Sequence, residues 1–397
     1  VDHLKSNQIE NEEVSMEFEL SEEHKLLKRT VRKFAEETIR PVAEKYDEEA
    51  KYPYEIVEEA KKLGLIAPAI PEKYGGAGMD FLAQAIVIEE LFRGDPGIGL
   101  AISARPFGAD MLLEFGTDEQ KQKYLVPVAK GDWVMGSAIT EPEAGSDVAS
   151  IKTKAEKDGN EYVLNGTKTF ITNGTIADFL IVFARTNFDP PERHMGITAF
   201  IVEKDREGYS AQPEKKKLGI RASDLAEITL KDVRVPEENV VGQVDMAFYH
   251  LMQFFSRGRV AVAAQAVGIA QGAFDEAFQY AQDRRQFGRP IVDFQATQFK
   301  LADMATSIEA ARLLTYQAAW LISQGGNPAK EASMAKLFAS KVAREVANEA
   351  LQIHGGYGFI KDYAVERFYR DAKITEIYEG TSEIQRIIIT RALLGKI

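Results

Sequence analysis

The spacing of apolar residues changes character twice along the chain. From Ser21 onward, Leu26, Leu27, Val31, Phe34, Ala35 and Ile39 recur at helical spacing. Ser21 is placed to cap that helix, and Glu22 and Glu23 fall in its first turn, where the helix dipole favours negative charge. Further helices are expected around 53–64, 81–94 and 118–130, punctuated by PEKYGGAG and GDPGIG. Between about 135 and 245 the texture turns to strands. DFLIVFART and GITAFIVEK are near-continuous apolar runs of strand length, and AEITLKDVRVP alternates until Pro236 stops it. EYVLNGTKTFITNG carries two Asn-Gly signals, at Asn165 and Asn173, which read as turns between short strands. After about 247 the helices return and lengthen. GRVAVAAQAVGIAQGAFDEAFQYAQ has small residues on nearly every face, which suits a buried helix of a bundle. The next helix ends at the Gly325–Gly326 pair, and the one after it starts behind Pro328 and stops at Gly355.

The pattern predicts an α+β multidomain fold. Residues 16–134 form an N-terminal helical domain, 135–246 a middle β-barrel or sandwich domain, and 247–397 a C-terminal four-helix-bundle domain. A length of 397 residues, too great for one core, agrees with that division. Residues 1–15 are polar and are expected to be a disordered extension, with Met16 as a candidate natural start. They lack the apolar segment of a signal peptide, and no apolar run is long enough to cross a bilayer. A cytoplasmic protein without membrane insertion is therefore expected, and the two N-G-T sequons read as turns rather than glycosylation sites.

Charge and composition remove several kinds of chemistry. With 49 basic and 61 acidic residues the net charge is −12, which opposes general nucleic-acid binding but leaves room for a local basic pocket. The absence of cysteine excludes disulfides, thiolate catalysis and Cys-ligated metals. The five histidines (His3, His24, His194, His250, His354) show no ligand spacing, so no metal is expected. There is no phosphate-binding G-x-x-x-x-G-K-[ST], no H-E-x-x-H, no G-x-G-x-x-G after a strand and no G-x-S-x-G elbow.

Polar, glycine-bearing loops remain. SAITEPEAGSDV (137–148) joins the helical and β regions. It is either a plain connection or, through Thr140, Gly145 and Ser146, a cradle for a flat ring or a phosphate. KTFITNG (168–174) is read with Phe170 and Thr172 on one strand face, as packing or as a stacking surface. DRRQFGRPIVDFQATQ sets Arg284, Arg285 and Arg289 beside Phe287 before a helix start, as a solvated basic turn or a diphosphate site. QIHGGYGF (352–359) is a helix end that also permits close backbone approach. In EIYEGTSEIQR (376–386), Ser382 and Gln385 fit a capping box, and Glu383 complements the helix dipole. Glu379 is left on the preceding loop, either a surface charge or a base whose pKa is raised by Ile374, Ile377 and Tyr378.

Taken together, TEPEAGSD (140–147), FITNG (170–174), RRQFGRPI (284–291), QIHGGYG (352–358) and IYEGTSEIQR (377–386) resemble the acyl-CoA dehydrogenase family, from about Met16 to the C-terminus. The resemblance implies tightly bound FAD and α,β-dehydrogenation of an acyl-CoA thioester to the trans-2-enoyl-CoA. A base takes the α-proton while hydride leaves the β-carbon for flavin N5. Enolate-like charge on the thioester oxygen is met by hydrogen bonds from the flavin ribityl chain and the base's own backbone N–H. By position the base falls on Glu379. The alternative family location for a base is Gly258, before Arg259, and so is vacant.

Ser137, Ile139, Thr140, Gly145, Ser146, Phe170, Ile171 and Thr172 match flavin-lining positions. Arg284, Phe287 and Gln295 match residues that reach the FAD of a neighbouring subunit, and Gln352, Gly355, Gly356, Thr381 and Glu383 match further FAD contacts. Ser146, Phe255, Ser256, Arg259 and Gly380 are expected at the substrate, with Ser256 standing where several relatives carry Asp or Asn. Arg105 either faces the acyl pocket, where it would suit a terminal carboxylate, or makes a structural contact. The arginine that marks glutaryl-CoA dehydrogenases falls on Ile98. The implied partners are an electron-transfer flavoprotein and further copies of the chain in a homotetramer, a dimer of dimers. The competing readings are an oxidase of the same fold and a catalytically inactive CoA- or flavin-binding relative.

Overall fold

A computed structural model describes residues 19–396; the expected extension 1–15 and Met16 lie outside them. The N-terminal region is helical. Helix α1 (Glu22–Phe34) starts at the expected cap, with the Ser21 hydroxyl accepting from the His24 N–H at 3.2 Å. Helices α2 (Phe81–Gly94) and α3 (Pro96–Ser103) follow, the second capped by Asp95, whose carboxylate accepts from Ile98 N at 3.0 Å.

The middle region holds eight strands: β1 (Met135–Ala138), β2 (Lys154–Asp158), β3 (Glu161–Thr172), β4 (Phe179–Arg185), β5 (Ile197–Glu203), β6 (Tyr209–Pro213), β7 (Leu225–Pro236) and β8 (Val240–Val241). They form one sheet in the order β6-β7-β3-β2-β4-β5-β8, with β1 pairing parallel to β4. Strands β4 and β5 explain the continuous apolar runs, because they are buried on both faces. Phe179, Ile181, Phe183, Ala199 and Ile201 join the core shared with the helices. The alternate residues Leu180, Val182, Phe200 and Val202 close a second core within the β region.

One turn expectation is corrected. Asn165–Gly166 lies inside β3 rather than between strands. The Asn165 side chain pairs with Asp232 on β7, donating to its carboxylate at 3.1 Å and accepting from its N–H at 2.8 Å. A left-handed Asp232 (φ 53°) absorbs the register shift there. The second signal, Asn173–Gly174, does turn, with Asn173 at φ 64°.

The C-terminal region is built on α4 (Ala247–Asp283), which packs against α2, α5 (Gln295–Ser323), α6 (Ala329–His354) and α7 (Val365–Ala372). Its small residues permit close crossing. A Cβ on Gly268 would stand 2.3 Å from the Glu89 carbonyl of α2. A short hairpin, β9 (Arg285–Gln286) and β10 (Arg289–Pro290), separates α4 from α5, and α8 (Ser382–Leu393) closes the chain against α6.

Candidate active site

The loop before α8 is shaped by two left-handed residues, Glu379 (φ 53°) and Gly380 (φ 90°). Such a backbone costs a non-glycine residue roughly 1–2 kcal/mol, so its neighbours must hold it. Two buried side chains do so. Gln385 Nε2 donates to the Gly380 carbonyl at 2.7 Å and to the Glu379 carbonyl at 3.3 Å. Lys336, reaching over from α6 with its side chain fully buried, donates to the same Gly380 carbonyl at 2.6 Å.

This corrects the expected capping box. The cap is Thr381, whose hydroxyl accepts from Ile384 N at 3.4 Å, and Ser382 is the first helical residue. Gln385 is spent on the loop carbonyls instead. Glu383, in the first turn, is held below the usual carboxylate range by backbone and Thr381 hydrogen bonds.

The Glu379 carboxylate lies over α4 at Gly258, where an added Cβ would stand 2.6 Å from its Oε2. Although the residue is half-buried, Oε2 is sealed from solvent and has no hydrogen-bond partner. Burial pushes the carboxyl up to about 7, against the opposing pull of Arg259 and Lys336. The same burial pushes Lys336 down to about 8 and Arg259 to about 10, so both are cations at neutral pH. The expected source of desolvation is only partly right. Ile377 is exposed, and Tyr378 turns its hydroxyl to Gln265. Ile374 is the member of the three packed against the core, and Gly258 of α4 closes over the Glu379 carboxylate itself. The Glu379 backbone N–H has no acceptor among the described residues.

Beside it on α4, Ser256 is buried with its hydroxyl unpartnered, and Arg259 is buried with Nε unpartnered. Phe255 is half-buried beneath the Arg259 guanidinium, 5.9 Å from it. Arg105 makes a structural contact, donating to the Gly131 carbonyl at 3.0 Å from a buried position.

The β-region candidates gather at one end of the sheet. Thr169 N donates to the Thr140 carbonyl at 2.9 Å, joining the 137–148 loop to β3. Phe170 is thrown outward at a bulge, left-handed (φ 57°) and 66% exposed, while Ile171 is buried and Thr172 half-buried. The bulge, not simple alternation, sets which way Phe170 faces. Ser137 is buried with its hydroxyl unpartnered, Ile139 is buried, and Gly145 and Ser146 are exposed. Gly108 packs on Ser137, and Phe107 meets Phe254 of α4 edge-on at 5.6 Å, which ties this end of the sheet to the helix carrying Gly258.

A second group lies where α4, α5 and α6 meet. Phe287 is 93% exposed at the tip of the β9–β10 hairpin, and Arg284 stacks over Tyr357 at 5.2 Å. Gln295 opens α5, and Gln352, Gly355 and Gly356 are exposed at the end of α6. No hydrogen bond or ring contact among the described residues joins this group to the Phe170 end of the sheet. Nor do the described residues include a cluster that would hold a metal.

Lys336 was missed by sequence reasoning, although a signal existed. It falls in register with the buried stripe Ala332, Ala335, Ala339 and Ala343, where a lysine is out of place. The Lys168–Glu141 pair was missed as well. Lys168 Nζ, fully buried, donates to Glu141 at 2.8 Å and to the Ile139 carbonyl at 3.0 Å, and so anchors the 137–148 loop.

The sites fit a flat cofactor with a diphosphate. An exposed aromatic and an unpartnered hydroxyl wait at the sheet end, and Gly145, Gly355 and Gly356 have open space where a side chain would be. A helix–sheet–helix chain that carries both such a platform and a desolvated carboxylate has the build of a flavin-dependent dehydrogenase. The N-terminal, middle and C-terminal domain models of acyl-CoA dehydrogenases match residues 21–132, 136–233 and 248–394, and the chain belongs to the acyl-CoA dehydrogenase family. It is an oxidoreductase, and its cofactor is FAD.

A short-chain-specific acyl-CoA dehydrogenase of Clostridium acetobutylicum is 45% identical over 376 residues, covering 94% of this chain and 99% of that one. The CarC subunit of a caffeyl-CoA reductase–Etf complex of Acetobacterium woodii is 43% identical, covering 95% and 99%. The butyryl-CoA dehydrogenase structure from Megasphaera elsdenii superposes with a TM-score of 0.92 at 41% identity, covering 96% and 100%.

Proposed function

We propose that this enzyme interconverts a short-chain acyl-CoA and its trans-2-enoyl-CoA, with Glu379 as the base that takes the α-proton. The observation that carries the reading is the Glu379 Oε2, sealed from water, without a hydrogen-bond partner and lying over a glycine. A carboxyl raised to about 7 is poised to exchange a proton near neutral pH. Its left-handed backbone leaves the Glu379 N–H free to donate to the thioester oxygen as negative charge develops there. FAD, when bound, supplies the acceptor for the hydride that leaves the β-carbon.

Ser137, Ile139, Thr140, Gly145, Ser146, Phe170, Ile171 and Thr172 are assigned to its ring, and Thr381 and Glu383 to the edge of the same site. Ser146, Phe255, Ser256, Arg259 and Gly380 are assigned to the CoA thioester; the unpartnered Ser256 hydroxyl supports its place. Arg284, Phe287, Gln295, Gln352, Gly355 and Gly356 are assigned to the FAD of a second subunit. The outward Phe287, 93% exposed at the hairpin tip, supports that, and a homotetramer built as a dimer of dimers is proposed with it.

An electron-transfer flavoprotein is the proposed redox partner, supported by the relative that is a subunit of an Etf complex. No helix among the described residues is long and apolar enough to cross a membrane. The test is anaerobic flavin bleaching by a chain-length series of acyl-CoAs. Maximal bleaching with four-carbon substrates is expected, and no bleaching by any of them would refute the reading. Hydrogen peroxide formed as fast without as with the flavoprotein acceptor would make the enzyme an oxidase instead.

A further inference from the structure

Two cations face the Glu379 carboxylate. Arg259 comes from α4 and Lys336 from α6; Arg259 Nε and Glu379 Oε2 are both without a partner, and Lys336 Nζ is bonded to the Gly380 carbonyl rather than to the carboxylate. Arg259 belongs to the substrate surface described above. Lys336 carries no substrate assignment of its own, and its one hydrogen-bond acceptor among the described residues is the Gly380 carbonyl. A lysine is held in a fully buried position only where its charge or its donor is used, since desolvating an ammonium is costly. The backbone around it is also constrained: the Ser340 hydroxyl, one turn along α6, donates to the Thr375 carbonyl at 2.8 Å, tying α6 to the segment that leads into the Glu379 loop.

We propose that Lys336 is a positioning residue for Glu379. Its ammonium clamps the Gly380 carbonyl, which fixes the strained loop that lays the carboxylate over Gly258, and it supplies buried positive charge against which that carboxylate ionises. The inference rests on the reading of Glu379 as the base.

The charged and titratable groups around the pair are few. Arg259 and Tyr378 face Glu379 along with Lys336, while Glu376 and Glu383 face Lys336 from the ends of the same loop. Glu376 already pairs with Arg344 and Lys373, at 3.1 and 2.6 Å. Removing the Lys336 charge therefore leaves Arg259 as the remaining cation acting on Glu379, and ionisation of the carboxylate becomes harder. Removing the donor frees the loop.

Three variants of the holoenzyme separate these roles. Lys336→Gln keeps a donor and loses the charge, Lys336→Arg keeps the charge, and Lys336→Met loses both. The first readout is the carboxyl infrared band of the resting holoenzyme followed against pH, assigned by its loss in Glu379→Gln. The second is the pH profile of anaerobic flavin reduction. We expect the Glu379 midpoint near 7 in the wild type and about one unit higher in Lys336→Gln and Lys336→Met, a roughly tenfold loss of reduction rate on the acid limb. Lys336→Arg should keep the wild-type midpoint. Only Lys336→Met should also lose rate on the alkaline plateau, where charge no longer limits.

An unmoved midpoint in both Lys336→Gln and Lys336→Met overturns the proposal. A merely structural lysine would lower melting temperature and cofactor content without moving the infrared midpoint, and that pattern also overturns it. If Glu379→Gln reduces flavin at the wild-type rate, the reading of the base itself has failed. If that variant is inactive and the midpoint is unmoved, only the role of Lys336 has failed.

Discussion

Replacing Gly258 by alanine should separate catalysis from stability. The new Cβ would stand 2.6 Å from Glu379 Oε2, about 0.8 Å short of the 3.4 Å at which ordinary contact begins. The group in the way is the free end of a side chain, so the carboxylate yields and α4 does not. In the helix interior alanine is favoured over glycine by about 1 kcal/mol, which offsets residual crowding. The Gly258→Ala holoenzyme should therefore melt within about 1 kcal/mol of the wild type while its base is displaced by most of an ångström. A misplacement of about 1 Å costs on the order of 10²-fold in rate. Stopped-flow flavin reduction by butyryl-CoA under anaerobic conditions measures that rate directly, with thermal denaturation as the control. An undiminished reduction rate in a folded, FAD-loaded Gly258→Ala protein would refute the placement of Glu379 over α4 as the reacting group.

Other consequences follow from the same geometry. Glu379 has a folded-state pKa raised from 4.5 to about 7, so the folded protein holds a proton that the unfolded chain releases between those values. Stability is thus lost as pH rises through that window, and Glu379→Gln should gain up to about 3 kcal/mol over the wild type at pH 8 and nothing at pH 4, by chemical denaturation. Lys168→Met strands Glu141 in a buried position and should destabilise by about 3–5 kcal/mol; a loss under 1 kcal/mol would show that Glu141 finds water. Phe170→Ala removes an exposed ring and should leave apoprotein melting unchanged. Its FAD affinity should fall roughly three- to tenfold, the worth of one aromatic contact, and an unchanged affinity by fluorescence titration would remove Phe170 from the site.

Much of the fold was legible because one signal governs it. The buried faces of β4 and β5 wrote themselves as unbroken apolar runs, and the Ser21 cap and the Pro328 and Gly355 boundaries fell where capping chemistry put them. The failures share a different cause. Asn165–Gly166 is a turn signal locally, but Asp232, 67 residues away, takes up the Asn165 side chain and holds it in the strand. Gln385 fits a capping box until Glu379 and Gly380 offer it carbonyls that nothing else but Lys336 satisfies. Phe170 faces outward because of a bulge set by pairing with β7, which periodicity within β3 cannot reveal. The candidate base followed from resemblance. What surrounds it did not, because Gly258 and Lys336 arrive from helices more than 40 residues away in sequence, and only packing brings them to Glu379.

The central claim is that a single desolvated carboxylate opens the substrate. It is tested most directly by mixing Glu379→Gln holoenzyme with butyryl-CoA in the absence of oxygen and following the flavin spectrum. The geometry predicts that the substrate binds and perturbs the flavin bands while the flavin stays oxidised, in contrast to rapid bleaching in the wild type. Bleaching of the variant at close to the wild-type rate would contradict it and require the proton to leave to another group.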